Sequence, residues 1–156
     1  MSIEKVRARF KELGIDDRIM EFDVSSATVE LAAQAVGVEG KRIAKTLSFL
    51  TDGGCILVVT AGDAKIDNGK FKAQFHYKAK MLPYESVPEL VGHSVGGVCP
   101  FAVKDGVKVY LDASMRRFET VFPACGSSNS AIELTLEELE RYSGFAEWID
   151  VCKGWE

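Results

Sequence analysis

At 156 residues, 47% hydrophobic and 27% charged, the chain has the make-up of a soluble globular protein, long enough to bury roughly two thirds of its unfolded surface. Its net charge of −4 excludes a global basic field, so a nucleic-acid partner would need a local patch, for which Lys65, Lys70, Lys72, Lys78 and Lys80, or Arg116 with Arg117, are the candidates. No apolar run approaches the roughly 18 residues of a membrane span, and the start, Met1 to Arg7, alternates charge without a signal core. The expected setting is therefore cytoplasmic.

Ser2 can cap a first helix with Ile3, Val6, Phe10 and Leu13 on one face and Gly14 closing it. Ile19 to Phe22 reads as a short strand. Ser25 or Ser26 then caps a second helix carrying Val29, Leu31, Ala32 and Val36, stopped by Gly37. Ile43 to Leu50 and Cys55 to Thr60 flank Thr51-Asp52-Gly53-Gly54, a strong hairpin signal. Asp67 or Asn68 caps a helix through Phe71 and Phe75, and Ser86 a shorter one through Leu90 with Pro88 in its first turn. Phe101 to Val103 and Val107 to Leu111, around Lys104-Asp105-Gly106, predict a second hairpin. Phe118 to Phe122 and Ala131 to Leu134 read as strands either side of the turn-rich 126–130 stretch. Thr135 and Glu138 make a capping box for a last helix ended by Gly144, and Trp148 to Val151 a final strand. Hairpins outnumber helix–strand alternations. The expected architecture is α+β, one domain over residues 1–156, with a mixed, mostly antiparallel sheet.

Gly92-His93-Ser94-Val95-Gly96-Gly97-Val98-Cys99-Pro100-Phe101 is the costliest stretch to order, since each glycine loses more backbone entropy than any other residue. Gly92 to Gly97 has P-loop spacing, but Val98-Cys99 stands where Lys-Ser/Thr is required. The four cysteines (Cys55, Cys99, Cys125, Cys152) contain no C-x-x-C pair, and two distant histidines give no ligand set, so neither a metal nor a disulfide framework is expected. Cys99 with His93 could form a nucleophile–base pair; the competing reading is a small packed residue. Lys45, inside Ile43-Ala44-Lys45-Thr46-Leu47-Ser48-Phe49, either faces a pocket alongside Ile43, Leu47 and Phe49 or sits on a solvated end if the strand starts at Thr46.

Three ordered motifs resemble one family. Ala44-Lys45-Thr46-Leu47-Ser48-Phe49 is similar to the lysine motif of the YbaK and prolyl-tRNA synthetase editing domains. Gly96 and Pro100 match that family's G-x-x-x-P loop, and Phe122-Pro123-Ala124-Cys125-Gly126-Ser127 with Ile132-Glu133-Leu134 its closing segment. The resemblance runs from about Ser25 to the C-terminus. It implies a β-barrel-like sheet surrounded by helices and a free-standing deacylase that hydrolyses the ester of mischarged tRNA, most often tRNA for proline carrying alanine or cysteine.

The resemblance implies that Lys45, Gly96, Gly97 and Pro100 act in catalysis and that Val98, Cys99, Phe101, Gly126 and Ser127 line the substrate. It implies no cofactor, metal or protein nucleophile, and partners limited to the tRNA acceptor 3′ end or a synthetase, without DNA or membrane. An aminoacyl ester is already activated, so placement and oriented dipoles can supply much of the acceleration. A non-catalytic module binding tRNA ends or a synthetase is the alternative. A Cys99-dependent hydrolase is the third reading.

Overall fold

The structure, a computed structural model, describes residues 2–93 and 95–155. α1 (Ser2–Leu13) buries Val6 and Phe10 completely, as their spacing requires, and Gly14 at φ +77° ends it. A 3-10 turn over Asp16–Arg18 leads into β1 (Met20–Glu21). α2 (Val29–Val36) is capped by Thr28, whose hydroxyl accepts the Leu31 N–H at 3.1 Å. Ser25 and Ser26, the expected caps, are used elsewhere. The Ser26 N–H and hydroxyl donate to the Ser128 carbonyl at 2.6 and 3.2 Å, tying the approach to α2 onto the 126–130 turn. Leu31, expected on the inner face, is 40% exposed; Val29, Ala32 and Val36 pack inward against Ile43 and Phe122.

β2 (Ile43–Thr51) and β3 (Gly54–Ala61) form the expected hairpin, in register from Thr51↔Gly54 to Ala44↔Ala61. β2 starts at Ile43, so Lys45 lies within the strand. β4 (Lys65–Ile66) precedes α3 (Asn68–Phe75), capped by Asp67, which accepts the Lys70 N–H at 3.0 Å. Phe71 of α3 is fully buried against Phe49, ring centroids 4.9 Å apart. α4 (Val87–Val91), with Pro88 in its first turn, ends at Gly92.

The expected 101–111 hairpin does not form. β5 (Lys108–Asp112) instead runs parallel to β3, from Ile56↔Lys108 to Val59↔Leu111. Phe101 is drawn into the core against Phe10, and side chains rather than a strand partner take its carbonyl. Ala102 at φ +52° then turns the chain, and the Lys104 N–H donates to Val91. Beyond a 3-10 turn over Ala113–Arg117, β6 (Thr120–Pro123) pairs parallel with β2 at Ile43 and Ala44.

The expected 131–134 strand divides. β7 (Ser130–Ala131) pairs antiparallel with β1, and β8 (Leu134–Thr135) antiparallel with β6. α5 (Leu136–Ser143) opens on the capping box of Thr135 and Glu138. β9 (Glu147–Ile149) runs parallel to β5, and β10 (Cys152–Lys153) pairs antiparallel with β4, so the expected final strand is displaced and a further one follows.

The main sheet has the order β8-β6-β2-β3-β5-β9, a curled mixed sheet with the antiparallel hairpin at its centre and parallel neighbours on both sides. This is the α+β class read from the sequence. Leu57, Val58, Leu111, Met115, Val121 and Leu139 fill the core with no exposure. Fully buried Asp112 accepts the Val151 and Ser114 N–H groups, each at 2.9 Å, and so ties the end of β5 to the chain entering β10. Among the described residues no helix is long and apolar enough to cross a membrane.

Candidate active site

A gap in the outer edge of β2 builds the site. At one end, Ala44 is covered by β6. At the other, the Leu50 N–H donates to Lys80 at 2.8 Å and the Leu82 N–H to the Ser48 carbonyl at 3.2 Å. Backbone groups alternate sides along a strand, so Thr46, two residues from both Ala44 and Ser48, turns its N–H and C=O to this same outer edge. β6 stops at Pro123, and no backbone hydrogen bond from the described residues covers Thr46 there.

A cleft of about 270 Å³ opens over this gap. Its floor is Ile43, Ala44, Lys45, Thr46 and Leu47 of β2. Ser26, Ala27, Thr28, Val29 and Ala32 form one wall, and Phe122, Ala124, Ser130 and Ala131 with Val95 and Val98 the other. Most of these side chains are small or apolar, with the hydroxyls of Ser26, Thr28, Thr46 and Ser130 set among them. Lys45 is the charged side chain in this lining, half-buried. It makes no hydrogen bond or ion pair with any described residue. Burial pushes its ammonium pKa below the usual lysine value, and Lys65 adds to this; Cys152, Asp63 and Glu30 pull the other way without cancelling it.

The glycine run forms the back of the second wall. Val95–Gly97 is a 3-10 turn, while Ser94 lies outside the described residues. Gly97 lies backbone to backbone against the 126–127 turn. A Cβ there would sit 2.5 Å from the Gly126 carbonyl carbon and oxygen and 2.6 Å from the Ser127 nitrogen. This close approach is the structural reason for a glycine at that point. Gly126, at φ +93°, and the Ser127 hydroxyl, which donates to Ser130 at 2.7 Å, hold the turn that carries Ser130 and Ala131 into the cleft.

The other expected site residues stand further back. Cys99 and Phe101 have no exposure and Pro100 is buried behind the wall that Val98 presents. His93, 1% exposed, donates through Nε2 to the Phe101 carbonyl at 2.6 Å, and its Nδ1 is buried without a partner among the described residues. Burial pushes the imidazole pKa down. The Cys99 Sγ is 3.6 Å from His93 Nε2, so the pair exists as a contact, but burial raises the thiol pKa to about 12. A thiolate is therefore inaccessible at neutral pH, and neither member reaches the cleft. Among the described residues no group of His, Cys, Asp and Glu could hold a metal ion.

Thr28, Thr46 and Ser130 were not singled out by sequence reasoning. Thr46 lies inside the lysine motif and was legible there; Thr28 and Ser130 read only as a helix start and a turn, and long-range packing brings them to the cleft.

Fold and cleft together define an α+β protein that can hold a small ligand at an open sheet edge, with backbone groups, hydroxyls and one ammonium. Residues 23–142 match the family model of the aminoacyl-tRNA editing domain, and the chain belongs to that family. It is 54% identical, over the full length of both chains, to a Bacillus subtilis (strain 168) protein described as uncharacterized protein YwhH. It is also 32% identical, over 66% of its length, to the proline--tRNA ligase of Shouchella clausii (strain KSM-K16), of which it spans 18%. A solved structure described as a candidate trans-editing enzyme for prolyl tRNA synthetase superposes with a TM-score of 0.87 at 28% identity, covering 98% of each chain.

Proposed function

We propose that the protein is a free-standing aminoacyl-tRNA deacylase that hydrolyses the ester of mischarged tRNA, with tRNA for proline carrying alanine or cysteine as its substrate. The observation that carries the reading is the cleft: small apolar walls, an open strand edge at Thr46, and a half-buried Lys45 without an ionic partner among the described residues. A protein keeps an unpaired, partly desolvated ammonium at a cost, and binding an anionic or carbonyl-bearing ligand offsets it. Alanine methyls at residues 27, 32, 44, 124 and 131 narrow the cleft, which suits a sieve admitting small aminoacyl groups and excluding the larger correct one.

In this reading Lys45 holds a phosphate, ribose hydroxyl or ester oxygen of the terminal adenosine. Thr46 and the wall behind Val95 and Val98 orient the aminoacyl group. Water attacks the ester carbonyl carbon, the bond to the ribose oxygen breaks, and that oxygen takes the proton, leaving free amino acid and tRNA. For cysteine the substrate's own thiol can attack the carbonyl carbon instead: the bond to the ribose oxygen breaks, that oxygen takes the thiol proton, and the cyclic thioester left behind is opened by water to free cysteine. Placement of an activated ester supplies the acceleration, in keeping with a Cys99–His93 pair that is buried away from the cleft. A panel of aminoacyl-tRNAs tests it: alanyl- and cysteinyl-tRNA for proline should be deacylated and prolyl-tRNA spared. Binding without turnover would leave only a recognition module.

A further inference from the structure

Some cations in the described chain have a carboxylate partner, Arg18 with Glu138, Lys70 with Asp150 and Arg117 with Asp63 among them. Of the exposed lysines without one among the described residues, Lys5 and Lys11 lie on α1 and Lys104 and Lys108 at the approach to and start of β5, which leaves five: Lys65, Lys72, Lys78, Lys80 and Lys153. They are not scattered. Lys65 lies within electrostatic reach of Lys45 in the cleft. It stands directly opposite Lys153 in the β4–β10 pair, where like charges are destabilising. β4 leads through the Asp67 cap into α3, which packs over β2 through Phe71 and Phe49. Lys72 of α3 and Lys78 line one hollow of about 430 Å³, and Lys78 and Lys80 a second of about 470 Å³. The Lys80 carbonyl takes the Leu50 N–H, returning the series to the β2 edge on which the cleft opens. From Lys45 to Leu50 the strand covers about 17 Å.

Acidic groups interrupt this series: Asp150 pairs with Lys70 of α3, and Asp63, bound to Arg117, lies with Glu30 within electrostatic reach of Lys45. Asp67 is held by the Lys70 N–H at the start of α3, and Asp52 shares the second hollow.

We propose that this lysine series is a docking track for the phosphodiester backbone of the RNA strand whose 3′ end enters the cleft. It rests on the deacylase reading and adds the surface on which the rest of the RNA lies. A chain of net charge −4 thus binds RNA with a local track rather than a global field. The Lys65–Lys153 opposition, offset on one side by Asp67 near Lys153, is further relieved when phosphate lies between them.

The test uses the full chain and a Lys72→Ala/Lys78→Ala/Lys80→Ala variant, with a triple Lys→Arg variant as charge control and thermal melts to show that each is folded. Two substrates are compared: alanyl-tRNA for proline, and 3′-alanyl-adenosine, which has no phosphate and reports the cleft alone. Binding of uncharged tRNA is measured in parallel between 50 and 200 mM salt. Losing three lysine–phosphate contacts should flatten the slope of log Kd against log salt by about 2. Over that fourfold salt range the wild type should then lose about fifteen-fold more affinity than the alanine variant. At low salt, kcat/KM on tRNA should fall at least tenfold more than on alanyl-adenosine, and the arginine variant should restore it. Equal salt slopes for wild type and alanine variant, or equal losses on both substrates, overturn the track. If the wild type hydrolyses neither substrate, the deacylase reading fails, and the binding slopes still decide whether the track exists.

Discussion

Gly97→Ala places the sharpest stress on the junction between the glycine run and the 126–127 turn. The added Cβ would meet backbone atoms at 2.5 Å where ordinary contact begins at 3.4 Å, so the two segments must part by about 0.9 Å (3.4 − 2.5). No side chain can rotate to absorb this, because all three nearest atoms are main chain. Overpacking of this kind costs about 1–3 kcal/mol. Alanine regains about 0.4–1 kcal/mol by restricting the unfolded chain, since Gly97 does not need a left-handed φ. The net expectation is a loss of about 1–2 kcal/mol, or a Tm lower by about 2–8 °C for a chain of this size. Gly54→Ala is the control: its nearest neighbour, the Thr51 hydroxyl, would be 3.7 Å from the new methyl. Urea melts and Tm compare the two, alongside deacylation of alanyl-tRNA. Displacing the wall by most of an ångström should reduce kcat/KM at least tenfold. A Gly97→Ala protein as stable and as active as Gly54→Ala would refute the claim that this close approach shapes the site.

Three further perturbations probe the site and its support. Lys45→Met keeps the aliphatic stem but removes the partly desolvated charge, so it should abolish deacylation while raising stability by about 0.5–1 kcal/mol at neutral pH. Because the folded pKa lies below 10.5, the unfolded chain binds more protons between the two values, and the wild type's handicap should shrink as pH climbs towards 10.5 in urea melts; a destabilised or active Lys45→Met variant contradicts this. Cys99→Ser should keep its activity, and iodoacetamide should leave Cys99 of the folded protein unmodified at neutral pH, given a thiol pKa of about 12 with no exposure; a dead serine variant would restore the nucleophile reading. Arg18, bonded to Glu138 at 2.8 Å, holds that carboxyl at about 2, so the pair's contribution is present above the usual 4.5 and lost as pH falls towards 2. Glu138→Gln should flatten the acid limb of the stability–pH curve, and an unchanged limb would show that the pair contributes nothing there.

Local chemistry in this chain was legible wherever it needed only near neighbours. The Thr51–Gly54 turn closes β2 on β3, and Thr135 with Glu138 opens α5, because both signals are complete within four residues. Val107 to Leu111 was recognisable as a strand, but an apolar run does not say which strand it will join; burial of Phe101 and the left-handed Ala102 send it to β3 instead of into a hairpin. Ser25, Ser26 and Thr28 are chemically equivalent as caps, and only the Ser128 carbonyl on a distant turn distinguishes them.

The site divides in the same way. Lys45 stands out because a lysine within an apolar strand is anomalous. The cleft around it depends on where β6 ends, and neither that end nor the Gly97–Gly126 contact is written in either segment alone. The glycine run turns out to shape the site from behind, with Val95 and Val98 as its exposed face and Cys99 to Phe101 anchored in the core.

Hydrolysis of alanyl-tRNA for proline by wild type and Lys45→Ala, each against a reaction without protein, tests the central claim most directly. The wild type should release alanine well above the spontaneous rate and leave prolyl-tRNA intact, and Lys45→Ala, folded by its thermal melt, should fall back to the spontaneous rate. Wild-type release of alanine and cysteine no faster than without protein, or a fully active Lys45→Ala, would contradict the account.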